Sequence, residues 1–429
     1  MAIDAAGRLV TDGWTVEAPL AEWVAELGGR FVVIDALSSS PRLHVDPLAS
    51  LGVVFRRDAR IAGSTTGLVA SQTPQLAPPR APQPLGPNQF HPAGLTSQDG
   101  VRRVLPNHAL ALDTWSCART TASIIPRIDP SERSSTIEAI GRRMRQLLTA
   151  AACDGPLISG LTAGRDSRVI LACGRPLLAK NDDRPSSTPS VSARLSFFTF
   201  YDHSEPASTD AKRAVDLAGR FGLQHRLIPC RDPRPEERHT YCERIGHDGH
   251  WGKARDFWLA AGRSLPADAA LVVGFGGEVG RGFYWHRNLT SGARSRPLDA
   301  KQLLRFMKLS TEAQAVTAMH AWIDRAPYRD DDELLDRVYL EHRVGAWASP
   351  HLYGVAPFRL VFTPFCDLGV LEAMRSLPID DRLADRVPAD VIESLWPELL
   401  QIAFDRAPAL VRGARAARRL GRRLRGDRS

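Results

Sequence analysis

An alternation in the middle of the chain constrains its fold more than any other feature. Short apolar runs at Gly155–Leu161, Leu195–Tyr201, His225–Ile228 and Ala269–Val273 are separated by helix-patterned stretches beginning near Asp166, Asp210 and Lys253. A continuous apolar run suits a strand buried on both faces, and strands alternating with helices imply crossover connections. The pattern predicts an α/β fold built on a doubly wound parallel sheet.

The flanks read differently. Arg30–Asp35, Arg42–Asp46 and Leu51–Arg56 are short β-like runs, and Val101–Asp113 continues the theme. Between them Gln72–Pro87 holds six prolines, which remove backbone donors and predict a linker. Ser135 and Glu138 have capping-box spacing before an apolar helical periodicity, so a long helix is predicted from about Ser135. Residues 181–194 read as a polar insertion, and the pattern beyond about 300 is mostly helical. The expected organisation is a smaller β-rich domain over 1–130, the sheet-bearing domain over 131–410 and an Arg-rich tail over 411–429.

Charge and cysteine content narrow the function classes. The net charge is +8, but residues 411–429, with eight Arg and one Asp, carry +7 of it, so the body is nearly neutral. Such a tail reads as a solvated end before it reads as a nucleic-acid arm. The longest apolar runs, such as Ala269–Val273, are far too short to span a membrane, and the N-terminus lacks the apolar core of a signal peptide. None of the six cysteines forms a CxxC pair, which favours a reduced, cytoplasmic setting.

Chemistry concentrates at Leu157–Leu171, LISGLTAGRDSRVIL. Thr162, Ala163 and Gly164 fall where a strand ends and a helix begins, a place where backbone N–H groups and the helix dipole favour an anion. Arg165, Asp166 and Ser167 follow in the first turn, where Ser167 can donate to phosphate and Asp166 can hold Mg²⁺. The passage matches neither a Walker A loop nor a GxGxxG fingerprint, and an ordinary turn with an Asp cap reads equally well from these residues alone. Glu205, Asp210 and His225 have the residue types of an acid/base set, while His247, Asp248 and His250 read as a loop without metal spacing and Trp251, Phe257 and Trp258 as core.

Four passages taken together resemble the asparagine synthetase superfamily. Thr162–Ser167 looks like a variant of its SGGxDS pyrophosphate loop. Leu195–Ile228 resembles its second strand, the following helix and the GxxH turn. Val272–Tyr284, VVGFGGEVGRGFY, resembles its SGxGxDExxxGY loop, with Gly274, Gly276 and Tyr284 matching and Glu278 where Asp is usual. Thr363–Asp367, after Arg343, resembles its PFLD segment. Leu27–Asp35 and Leu43–Phe55 are similar to core strands of a class II glutamine amidotransferase domain, but the residue after Met1 is Ala2 where that family places its nucleophilic cysteine.

The resemblance implies an adenine nucleotide alpha hydrolase-like sheet and an AMP-forming, ATP-dependent carbon–nitrogen ligase. Such an enzyme adenylates a carboxylate substrate and transfers the acyl group to ammonia or an amine, here without glutaminase activity of its own. ATP would be bound by Thr162, Ala163, Gly164, Arg165, Ser167, Gly274 and Gly276, and Mg²⁺ by Asp166 and Glu278. The family's lysine after the PFLD segment has no counterpart, since no lysine follows Lys308. Arg382 and Arg386, in the matching region, are the candidates to supply that catalytic charge, with Arg165 and Arg168 beside the first loop. A catalytically silent nucleotide-binding or scaffold protein, and an RNA-modifying enzyme with the same loop, are the alternatives.

Overall fold

The computed structural model of the chain describes all residues except 12–18, 74–89, 122–123, 179–193, 203–204, 250–251, 286–296, 356–359 and 405–429, and except the side chains of 205–207 and 252–254. The tail, nearly all of the proline-rich and polar insertions, His250 and Trp251 therefore lie outside the described residues.

Three small antiparallel sheets form the front of the chain. β1 (Ala2–Ile3) pairs with β2 (Gly28–Gly29). β3 (Val32–Asp35), β4 (Arg42–Val45), β8 (His108–Ala111) and β9 (Ser116–Arg119) make one sheet in that order. β5 (Val54–Arg56) lies between β6 (Ile61–Gly63) and β7 (Val101–Arg103) in another. Helices α1 (Leu20–Glu26) and α2 (Thr66–Ser71) complete this β-rich region.

The helix α3 (Arg133–Cys153) begins earlier than the capping pattern at Ser135 predicted. The capping box belongs instead to Asp129 and Glu132, which start a 3₁₀ turn leading into α3. Ser135 is already inside the helix, its hydroxyl donating back to the Glu132 carbonyl at 2.8 Å.

Beyond α3 stands the expected all-parallel sheet. β10 (Leu157–Gly160), β11 (Leu195–Tyr201), β12 (His225–Pro229), β13 (Ala270–Val272) and β14 (Leu360–Phe362) are ordered β12-β11-β10-β13-β14. Three crossovers run through α4 (Arg165–Cys173), α5 (Glu205–Phe221) and the pair α6 (Pro235–Arg244) and α7 (Gly252–Ser264). Both faces are covered: Leu157 points into the cluster containing α3, α4 and the C-terminal helices, while its neighbour Ile158 joins Ala260, Ala261 and Leu352 on the other side. The strand order reverses between β10 and β13, the position at which open α/β sheets leave a crevice beyond their strand ends.

The front region packs onto this crevice's support. Asp46, fully buried, accepts hydrogen bonds from the backbone of Leu48, Ser50 and Leu51 and from the Cys366 thiol at 3.0 Å. The Gly29 N–H donates to the Cys366 carbonyl at 2.7 Å. A second clamp is Asp248, buried, which accepts from the Arg103 guanidinium at 2.5 Å, from Ser97 and from Thr66. It ties the turn after α6 to β7 and α2. No helix among the described residues is long and apolar enough to cross a membrane.

Candidate functional site

Two loops meet at the carboxyl ends of β10 and β13. The first, Thr162–Ser167, is folded by its own hydroxyls. Thr162 N–H donates to Ser167 Oγ at 3.2 Å, Gly164 N–H donates to Thr162 Oγ1 at 3.0 Å, and the two hydroxyls lie 3.0 Å apart. Asp210 on α5 accepts from Ala163 N–H at 2.9 Å and so pins the loop to the neighbouring crossover. Of the loop's N–H donors expected to face a ligand, those of Thr162, Ala163 and Gly164 are thus engaged internally, and the first turn of α4 faces the crevice under a glycine N-cap.

The second loop, Gly274–Glu278, packs directly on Asp166. A Cβ at Gly277 would lie 2.7 Å from Asp166 Oδ1, and one at Gly274 3.2 Å from Asp166 Cβ. Gly276 has a left-handed φ of +100°, and a Cβ there would also meet Phe365 and Leu48 at 3.0 and 3.1 Å. These glycines let the two loops touch.

A 3₁₀ helix, Gly277–Arg281, follows. Residues three apart eclipse in a 3₁₀ helix, so Glu278 and Arg281 point the same way. Arg281 Nη2 binds Asp166 Oδ2 at 2.7 Å. Tyr339, in the π-helical stretch Val338–Ala348, donates its hydroxyl to Glu278 and accepts from Gly276 N–H at 3.3 Å. Burial, with Glu278 adding to it, pushes the Asp166 carboxyl up to about 6 against the pull of Arg281 and Arg165. Burial opposes the Arg281 charge, but Asp166, Glu278 and Asp385 outweigh it and strengthen its hold on the proton. Tyr339 is held far above the usual phenol range by burial and by Glu278.

Beside this charged corner lies a cavity of about 400 Å³, with Thr162, Asp166, Ser167, Gly274 and Glu278 on its polar side. Its apolar wall is aromatic. Phe200 stacks on Phe257 at 5.2 Å and 14° and meets Trp258 edge-on at 6.4 Å, and Phe198 and Phe275 extend the surface. Phe257 and Trp258, expected as core, are half-buried because they line this space.

The remaining expected residues stand apart from it. Arg382 does not reach the cavity. It is buried, paired with Asp336 at 2.8 Å, bonded to the Val279 carbonyl and laid 4.3 Å over the Trp285 ring. Arg386 pairs with Asp381 at 3.2 Å with most of its side chain in solvent. Arg165 pairs with Asp385 at 3.1 Å. Arg168 anchors the C-terminal segment through the carbonyls of Leu399, Ile402 and Ala403. His225 bonds Thr199, and Asp248 belongs to the front clamp.

Sequence reasoning passed over Arg281, Tyr339 and Asp210 as site residues. A signal for Arg281 existed, since it follows Glu278 by three residues in a glycine-rich turn. Tyr339 carried none, because 61 residues separate it from Glu278. Among the described residues no cluster of three or more potential metal ligands occurs. No family model matches the chain, and no curated protein matches it.

Proposed function

We propose that the chain binds ATP in the cavity at the ends of β10 and β13 and adenylates a carboxylate for amide formation, releasing pyrophosphate and then AMP. The observation that carries this reading is the contact of the two loops at the strand-order reversal, Asp166 seated against the bare Cα of Gly277. Its further support is the division of the cavity: an aromatic wall suited to a flat base, and a polar side formed by the α4 N-terminus and two carboxylates. Such a sheet, with its order reversing at the site, agrees with the adenine nucleotide alpha hydrolase-like fold that the resemblance implies.

Asp166 and Glu278 fit a divalent cation chemically. They are two carboxylates that line the same cavity from facing loops, and burial, with Glu278 adding to it, raises Asp166 to about 6 against Arg281 and Arg165. They would hold Mg²⁺ carried in with the phosphates, and the ion would supply charge neutralisation there. The chain's own part is to bind and orient. Phe200, Phe257 and Trp258 would hold the base, the α4 N-terminus would face the phosphates, and Arg281 would lend positive charge as pyrophosphate departs. A carboxylate oxygen attacks the α-phosphorus and the bond to pyrophosphate breaks. The amine then attacks the acyl carbon, loses a proton and displaces AMP.

A second reading, nucleotide binding without turnover, is favoured by the ion pair of Asp166 with Arg281, which engages an oxygen a metal would use. Pyrophosphate release with a panel of carboxylates and amines separates the two. The ligase reading expects ATP-dependent release, lost in Asp166→Asn and Glu278→Gln with melting behaviour preserved. Parent-like release by both variants removes these residues from the chemistry. ATP binding with no release from any panel member favours the second reading.

A further inference from the structure

A second concavity, sharing no lining residue with the first, lies between the front sheets and the helix Ala313–Ile323. Its volume is about 900 Å³, within the span of small-molecule sites. Its apolar surface comes from Phe55, Leu95 and Leu105 on one side and Trp322 on the other, and small residues such as Ala318 and Ala321 hold the helix face back.

Its charge is one-sided. Arg102, Arg103, Arg119 and Arg325 all line it, and among the described residues no Asp or Glu does. Two of these cations are neutralised from behind: Arg103 by Asp248 at 2.5 Å and Arg119 by Glu341. The other two bond only to backbone carbonyls among the described residues, Arg102 to Ala93 at 2.8 Å and Arg325 to Ala321 at 3.0 Å. A carbonyl satisfies a donor without cancelling its charge. Both side chains are exposed to solvent at the concavity they line. Asp99, which accepts from Gln314 at 3.4 Å, does not line the concavity.

We propose that this concavity binds a small organic anion with an apolar body, its head between Arg102 and Arg325 and its body against Leu105 and Trp322. An anion balances the charge of two lining guanidinium groups that bond only to carbonyls among the described residues, and the apolar floor adds transfer energy that inorganic ions cannot use. The inference does not rest on the reading of the ATP cavity.

The test is calorimetric titration of the full chain with decanoate, decyl phosphate and decyltrimethylammonium. The expected result is one saturable site for the anions and none for the cation, unaffected by ATP. The tighter of the two anions identifies the head group as carboxylate or phosphate. Arg102→Gln and Arg325→Gln, both at solvent-accessible positions, should each weaken binding at least five-fold. Ala318→Phe, which narrows the concavity without changing its charge, should weaken it as well, and melts identify any variant that fails to fold. Three results overturn the proposal: no saturable anion binding at millimolar ligand, equal binding of the cation, or anion binding that folded Arg102→Gln and Arg325→Gln leave unchanged.

Discussion

Replacing Gly277 by alanine tests the packing on which the candidate site depends. Its φ lies outside the left-handed region, so alanine meets no backbone penalty there, and any loss of stability comes from contact. The new methyl would sit 2.7 Å from Asp166 Oδ1, 2.8 Å from its Cγ and 2.9 Å from Phe365 Cζ. Phe365 is 1 % exposed and has nowhere to move. The carboxylate must therefore swing, and its 2.7 Å bond to Arg281 goes with it. One inserted methyl in a filled space costs about 1–3 kcal/mol. Asp166→Ala removes the two closest obstacles and leaves only Phe365, so Gly277→Ala should cost about 1 kcal/mol less in that background. Urea denaturation of the parent, both single variants and the double variant measures this coupling, and nucleotide titration should show weakened binding in Gly277→Ala. Equal costs in the two backgrounds, within about 0.3 kcal/mol, would refute the claim that Asp166 is seated against this glycine.

Two further predictions concern the frame around the site. Asp248→Asn leaves the buried Arg103 guanidinium without its countercharge and should cost about 3–5 kcal/mol by urea denaturation; a loss under about 1 kcal/mol would show that Arg103 finds another partner. His342 is fully buried, its Nδ1 accepts from the Ala93 N–H at 3.2 Å, and burial pushes it down to about 3, against Glu341 and with Arg119 and His108. Its folded value lies below the unfolded one near 6.5, so its contribution is present above pH 6.5 and is lost as pH falls toward 3. Between pH 6.5 and 4.5 the parent should therefore lose about 1–2.5 kcal/mol more than His342→Gln does, and matching pH profiles would contradict this.

The sheet was legible where apolar runs are bounded by glycine, proline or polar clusters. Leu195–Tyr201 is a strand over the same residues that the sequence marks, and Leu157–Gly160 and Ala270–Val272 fall within their predicted runs. β14 was not legible, because three apolar residues between helical stretches carry no period that separates strand from helix. Helix α6 was missed too, since its sequence PEERHTYCER has almost no apolar periodicity. In the site, Asp166 stood out because small residues mark its strand-to-helix turn, and Glu278 through the family resemblance that its glycine-rich loop carries. Arg382 illustrates the opposite case. Sequence supplies its charge but not its direction, and the side chain turns inward to Asp336 and Trp285 instead of toward the cavity. Phe257 and Trp258 have the composition of core residues, and only the three-dimensional arrangement makes them a wall.

The bond between Asp46 and Cys366 bears on how separable the two halves of this chain are. Leu48, two residues after Asp46, lies beneath Gly276 and belongs to the same buried cluster as Phe365. A polypeptide beginning after residue 130 would lose that leucine and expose the underside of the second loop. The front region thus serves as a foundation whatever chemistry it has or lacks, and modularity suggested by a β-rich segment followed by an α/β one does not extend to physical independence. Engineering of the two loops at the cavity must treat Leu43–Phe55 as part of the same working unit.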